Sequence, residues 1–265
     1  MGRYIEIIGL PGSGKSTLYN TVLRYLENGG IKVFPRENER LDSRLLSLYL
    51  KKHEPFRRTS GFRGAWNGVR GRLVGRFFKS ARAESVELRS FIYSHTEFVE
   101  LILAILVRRA LPQWEKEHVL GRYFDSFAHF QIAHAVIGEG EAILTDPGLI
   151  QRGIALLGYG TAETNDQDLH EYMRLTPRPD LVISVQTPPA ICLARMQARS
   201  FPKRLQDMSE REITESLNKC QTYLQIAKEC LRQRGSALIE VENAGTLPLS
   251  IEKIRADLER VGLGH

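Results

Sequence analysis

Eight residues near the start of the chain, Gly9-Leu10-Pro11-Gly12-Ser13-Gly14-Lys15-Ser16, satisfy the GxxxxGK[ST] phosphate-loop pattern at every required position. The glycines, with Pro11 and Ser13 between them, let the backbone turn its N–H groups toward one polyphosphate. A helix beginning after the loop adds its positive end to the same anion. In that arrangement Lys15 reaches the outer phosphates, the Ser16 hydroxyl ligates magnesium and Thr17 touches the inner phosphate. The bland alternative is a Gly/Ser turn ahead of an ordinary helix with an exposed lysine. Context argues against it, because a strand-like run precedes the motif and a helical pattern follows. A nucleoside triphosphate, taken as ATP, and Mg2+ are the expected ligands.

The elements that must position this loop follow from periodicity. Tyr4 to Ile8 is a short, largely apolar run suited to a strand buried in a parallel sheet. From Lys15 to Leu26 the apolar residues Leu18, Val22, Leu23 and Leu26 recur at helical spacing, and Asn28-Gly29-Gly30 supplies the stop. Further strands are predicted over Ile31–Phe34, Ala142–Thr145, Leu181–Val185 and Ala237–Val241, with helical patterns between them. The alternation predicts one α/β domain over 1–265, with a parallel sheet that binds ligands at its carboxyl edge.

The chain has 265 residues and a net charge of +6, which admits nucleic acid, anionic lipid or phosphorylated ligands as partners and selects none of them. Cys192, Cys220 and Cys230 are odd in number and lack CxxC spacing, so neither a disulfide framework nor a zinc site is expected. The histidines form no metal-spacing pair, and the aromatic stripe Tyr123, Phe124, Phe127 and Phe130 reads as core. The apolar run Phe98–Val107 contains Glu100 and is shorter than the roughly 18 residues of a span, so a buried helix is expected there. No leader pattern opens the chain, and cytoplasmic residence is the default expectation.

Residues 40–112 break the pattern. Between Lys51 and Arg82 stand ten basic residues against one acidic residue, Glu54. Glycines at 61, 64, 68, 71 and 75 predict an irregular segment rather than a long helix. Beyond it, Val86–Leu111 and Val119–Ile137 are predicted as two long helices separated at Pro112.

Two classes of phosphate-loop protein lack their signatures here. A GTPase carries a base-reading NKxD, but Asn218-Lys219 is followed by Cys220-Gln221, and Asp146-Pro147-Gly148 has the wrong spacing for DxxG. The signatures of a transport or motor ATPase are missing too. Phe34-Pro35-Arg36-Glu37-Asn38, Leu144-Thr145-Asp146-Pro147-Gly148, Arg178-Pro179-Asp180-Leu181-Val182-Ile183 and Leu193-Ala194-Arg195 through Arg199 to Lys203-Arg204 resemble segments of the thymidylate kinase and deoxynucleoside kinase group. The arginine that usually follows the acidic residue is absent, with Arg152 as its substitute. The resemblance implies a three-layer P-loop NTPase fold with a basic lid over ATP. It implies a base held by Asn243-Ala244-Gly245 and Arg195, and an acceptor region in residues 40–112, which match no familiar pattern.

Phosphoryl transfer works by positioning and by neutralising charge on the moving group, so cations should dominate. Lys15, Arg195, Arg199, Lys203 and Arg204 are the candidates. Glu37 and Asp146 each close a predicted strand; Glu37 is expected as the base for an acceptor hydroxyl and Asp146 in the metal shell. Arg36 is expected to position an acceptor phosphate, with Arg122 and Arg152 as further acceptor ligands. The resulting expectation is a kinase of a small-molecule acceptor, a nucleoside or nucleotide. The competing readings are a kinase of a sugar, glycan or lipid-linked acceptor drawn to a membrane by Val69–Arg82, and a nucleotide-dependent regulator whose basic segment binds nucleic acid or an anionic membrane surface. A homodimer is left open.

Overall fold

A computed structural model describes residues 2–37, 41–53, 69–159, 166–199, 201–202, 205–206, 208–244 and 247–263, with the side chains of 37, 69–80 and 247–249 excepted. Five strands form one sheet in the order β2-β3-β1-β4-β5. They are β1 (Arg3–Gly9), β2 (Lys32–Glu37), β3 (Glu141–Asp146), β4 (Leu181–Gln186) and β5 (Ala237–Glu242). Every pairing is parallel. The five predicted strands are therefore all present; four are extended by a residue or two, and β2 starts one residue later than expected and runs three further.

Alternation along the strands explains the layers. Ile5 and Ile7 join Leu144, Ile183 and Val241 on one face, where Leu18, Val22 and Leu26 of α1 (Lys15–Asn28) and Ile254 and Leu258 of α10 (Leu247–Arg260) cover them. Tyr4 and Ile8 point to the other face. There they meet α2 (Ser43–Lys52), α3 (Val69–Ser94), α4 (Thr96–Arg108), α5 (Gln113–Val136), α6 (Leu149–Gly158), α7 (Asp166–Leu175) and α9 (Glu210–Gln233). The short α8 (Pro189–Gln197) follows β4. The fold is α/β in three layers, as expected.

Local chemistry sets several helix ends. Asp42 caps α2 by accepting the Arg44 N–H at 2.7 Å, and Ser209 with Glu212 forms a capping box at the start of α9. The aromatic stripe of α5 is core: Tyr123 and Phe127 are buried, and Phe91 of α3 stacks on Phe127 with centroids 4.2 Å apart. The apolar run Phe98–Val107 lies in α4, which buries Phe98, Val99, Ile102, Ile105 and Leu106 but leaves Val107 exposed. No single described helix is long and apolar enough to cross a membrane.

Two expectations require correction. The glycine-bearing stretch from Val69 to Arg82 is helical, as the first half of α3. A glycine costs only about 1 kcal/mol in a helix, and the packed second half, with Ala83 and Phe91 fully buried, outweighs that preference. The rest of the basic segment, residues 54–68, lies outside the described residues. The helix predicted over Val86–Leu111 is two helices, because the chain bends by 95° between α3 and α4 without a proline. His95 leaves helical geometry at φ −134°, while the Ser94 and Thr96 hydroxyls bond back to Ser90 O and Ile92 O at 2.9 and 3.0 Å. The bend brings Phe91 and Phe98 onto the same ring of Phe127.

Close packing of α6 on α7 makes Gly153 a test of this arrangement. A Cβ there would lie 2.3 Å from Cε1 of the fully buried Tyr172. Gly153→Ala should lower unfolding free energy by about 1–3 kcal/mol through overpacking, read from the urea midpoint at unchanged slope.

Candidate active site

The loop between β1 and α1 has the conformation its glycines permit. Gly12 and Gly14 are left-handed, at φ 78° and 92°. A side chain at either would collide with the Cys192 carbonyl at 2.5 Å or with Asn243 Nδ2 at 2.3 Å. Gly14 is the N-cap of α1 and supplies no side-chain cap, and the first turn of α1 has no acidic residue. The positive end of α1 is thus left for an external anion. The Lys15 amine folds back onto the loop, donating to Gly9 O and Leu10 O at 2.9 and 2.8 Å. Ser16 and Thr17 are exposed on the first turn of α1, and the buried Ser13 hydroxyl has no hydrogen-bond partner.

Behind the loop, three donors converge on one carbonyl. Ser13 O accepts from Asn243 Nδ2 at 2.6 Å, Thr187 Oγ1 at 3.1 Å and Arg195 Nη1 at 3.5 Å. Arg195 also donates to Asn243 O at 2.9 Å. The residues expected to hold a base, Arg195 and Asn243, are therefore beside the phosphate loop and brace its backbone. Arg199 follows α8 and is exposed. Lys203, Arg204 and Gly245, expected in the lid and base loop, lie outside the described residues.

On the other side of β1 the sheet divides. β1 pairs with β4 as far as Gly9, but with β3 only as far as Glu6, opposite Thr145. β3 continues beside β2, where Glu37 is opposite Asp146. The two expected carboxylate positions are thus neighbours across a ladder at the carboxyl edge, although the Glu37 side chain lies outside the described residues. The division between β1 and β3 is the reversal point of the strand order, where ligands bind in such sheets.

Glu6 and Gln151, which the sequence reading did not single out, bridge that division. The fully buried Glu6 carboxylate accepts from Ile150 N at 3.2 Å, Gln151 N at 2.8 Å and Tyr4 OH at 3.1 Å, so a side chain of β1 caps α6. Gln151 Oε1 in turn accepts the Gly9 N–H at 2.8 Å. Burial pushes the Glu6 carboxyl up to about 7, against the pull of those N–H donors. The signal in the sequence was a lone charge inside the apolar run Tyr4–Ile8.

Arg36, expected to position an acceptor phosphate, is turned into the protein in this structure. It is 4% exposed and its donors serve the protein: Nε to His129 Nδ1 at 3.1 Å, Nη1 to Pro147 O at 2.9 Å and Nη2 to Ser126 Oγ at 3.0 Å. It lies on the same strand face as Phe34, directed at α5. His129 can accept because burial, with Arg36 and Arg152 close by, lowers its pKa to about 3 and keeps the imidazole neutral. Arg152 is buried in α6 near His129, Tyr123 and Tyr172, whereas Arg122 is exposed on α5.

No family model and no curated protein matches the chain. Three solved structures of deoxyadenosine kinase from M. mycoides do. With dCMP and a flexible dCDP bound, that enzyme is 16% identical with a TM-score of 0.45. With dATP the values are 14% and 0.49, and with dCTP 15% and 0.43. Each alignment covers 97% of this chain and 99% of the other. At such values the fold assignment rests on this chain's own strand order and loop.

The donor set suits a hydrated magnesium ion shared with phosphates. Ser16 is exposed at the start of α1 and Asp146 closes β3, while no group of three or more His, Cys, Asp or Glu among the described residues forms a metal cage.

Glu6 gives this site a pH signature. Its folded pKa lies above the ordinary 4.5, so its contribution to stability is complete below about pH 4.5 and is lost as pH rises through about 7. Relative to Glu6→Gln, the unmodified chain should lose up to about 3 kcal/mol between pH 4.5 and 8. Urea denaturation of both proteins across that range measures it, and parallel pH profiles would contradict the assignment.

Proposed function

We propose that the protein catalyses ATP- and Mg2+-dependent phosphoryl transfer to a small-molecule acceptor, a nucleoside or nucleotide. The observation that carries this reading is the uncapped start of α1 behind two left-handed glycines, with the Lys15 amine folded across the loop it would leave to meet a phosphate. The loop amides and Lys15 bind and orient the triphosphate. Ser16 and Asp146 would hold magnesium, which when bound neutralises phosphate charge. Arg195 of α8 and Arg199 just after it supply cations that complete the neutralisation, together with Arg204 from the adjoining segment.

Glu37, at the end of β2, accepts the proton of the attacking hydroxyl. The acceptor class is supported by the resemblance of Phe34–Asn38, Leu144–Gly148 and Leu193–Arg204 to the thymidylate and deoxynucleoside kinase group. Residues 40–112, between β2 and α5, supply the acceptor region in this reading.

Labelled ATP with magnesium and a panel of nucleosides, nucleotides and sugars tests the proposal. Transfer to a nucleoside or nucleotide is expected, and Lys15→Ala should lower it by at least about a hundredfold, as losing one charge-stabilising donor does. Hydrolysis without transfer to any acceptor would reject it.

A further inference from the structure

A central strand of a parallel sheet has hydrogen-bonding neighbours on both sides, yet β1 loses β3 after Glu6 while its pairing with β4 continues for three more residues, to Gly9. The Gly9 N–H opens the phosphate loop, and the side facing the departed strand must be satisfied by other means. Gln151 meets that need. Its Oε1 accepts the Gly9 N–H at 2.8 Å, standing where a β3 carbonyl would have stood.

Gln151 is itself anchored through its backbone. The residue is 7% exposed, and its own N–H donates to Glu6 Oε1 at 2.8 Å. Glu6 fixes Gln151 and Gln151 fixes Gly9, so a closed ring of contacts joins the final residues of β1 to the first turn of α6. Gly148, immediately before that turn, packs so tightly on Glu6 that a Cβ would lie 2.3 Å from Glu6 Cδ. These contacts join the segment after Asp146 to the entrance of the phosphate loop.

We infer that Gln151 is a positioning residue for phosphate binding: by replacing the missing strand partner of Gly9, it holds the loop open and in register with Asp146. This inference rests on the reading of the loop as a triphosphate cradle. Its removal would leave the Gly9 amide buried without an acceptor, and the loop would relax to satisfy it.

Calorimetry with Mg·ATP on the full chain, beside hydrogen exchange at the Gly9 amide, tests the inference. Gln151→Met has similar size and no acceptor, and Gln151→Glu retains one. Met should weaken Mg·ATP binding by about tenfold, the usual scale for orphaning a buried donor, and speed exchange at Gly9. Glu should keep the slow exchange. No binding by the unmodified chain, with Lys15→Ala identical to it, would overturn the triphosphate reading itself. Binding that Gln151→Met leaves within twofold, or exchange equally fast in both variants, would overturn the role of Gln151 alone. Should Gln151→Met not fold, Gln151→Asn withdraws the acceptor by one methylene and replaces it in the same comparison.

Discussion

The site depends on a sheet that parts on one side of its central strand. A parallel ladder satisfies backbone groups cheaply, and parting it leaves amides of a buried strand to be satisfied otherwise. Gln151 provides the substitute bond to the Gly9 amide, and Glu6 holds the Gln151 backbone against desolvation strong enough to raise its own carboxyl to about 7. Such a carboxylate is retained because three donors surround it: two helix amides and the Tyr4 hydroxyl. The parted ladder has the loop after β1 on one side and Asp146, at the end of β3, on the other.

How far the sequence made this legible depends on the distance between partners. The phosphate loop was readable because its glycines, lysine and serine are contiguous and their conformations local. The strands were readable because each is an apolar run buried in the sheet. Gln151 was not readable, since Gly9 is 142 positions away, nor was His129, which lies 93 positions from Arg36. The partners of Arg36 were hidden for the same reason: Ser126 and His129 reach it from α5, about ninety positions along the chain. The glycines of α3 misled because propensity is a weak term beside packing.

The rear of the phosphate loop shows a different economy. Three donors on the Ser13 carbonyl tie together three segments that follow different strands: β1, β4 with α8, and β5. Asn243 is anchored in turn, donating its N–H to Gln186 O at 2.8 Å. The Asn243 amide also excludes any side chain at the left-handed Gly14. A loop held this way keeps its amides oriented before any ligand arrives, which lowers the ordering cost of binding.

Asp146 benefits from similar restraint on both flanks. Arg36 holds the carbonyl of Pro147, the next residue, from the α5 side. Glu6 packs against Gly148, one residue further, from the β1 side. The buried guanidinium is tolerable only because its acceptors are fixed, and a protonated His129 could not be one of them. A neutral imidazole deep in α5 therefore contributes to where a carboxylate stands at the edge of the sheet. That chain of dependence runs from His129 through Arg36 and Pro147 to Asp146, and it gives the most buried arginine near the site a structural task.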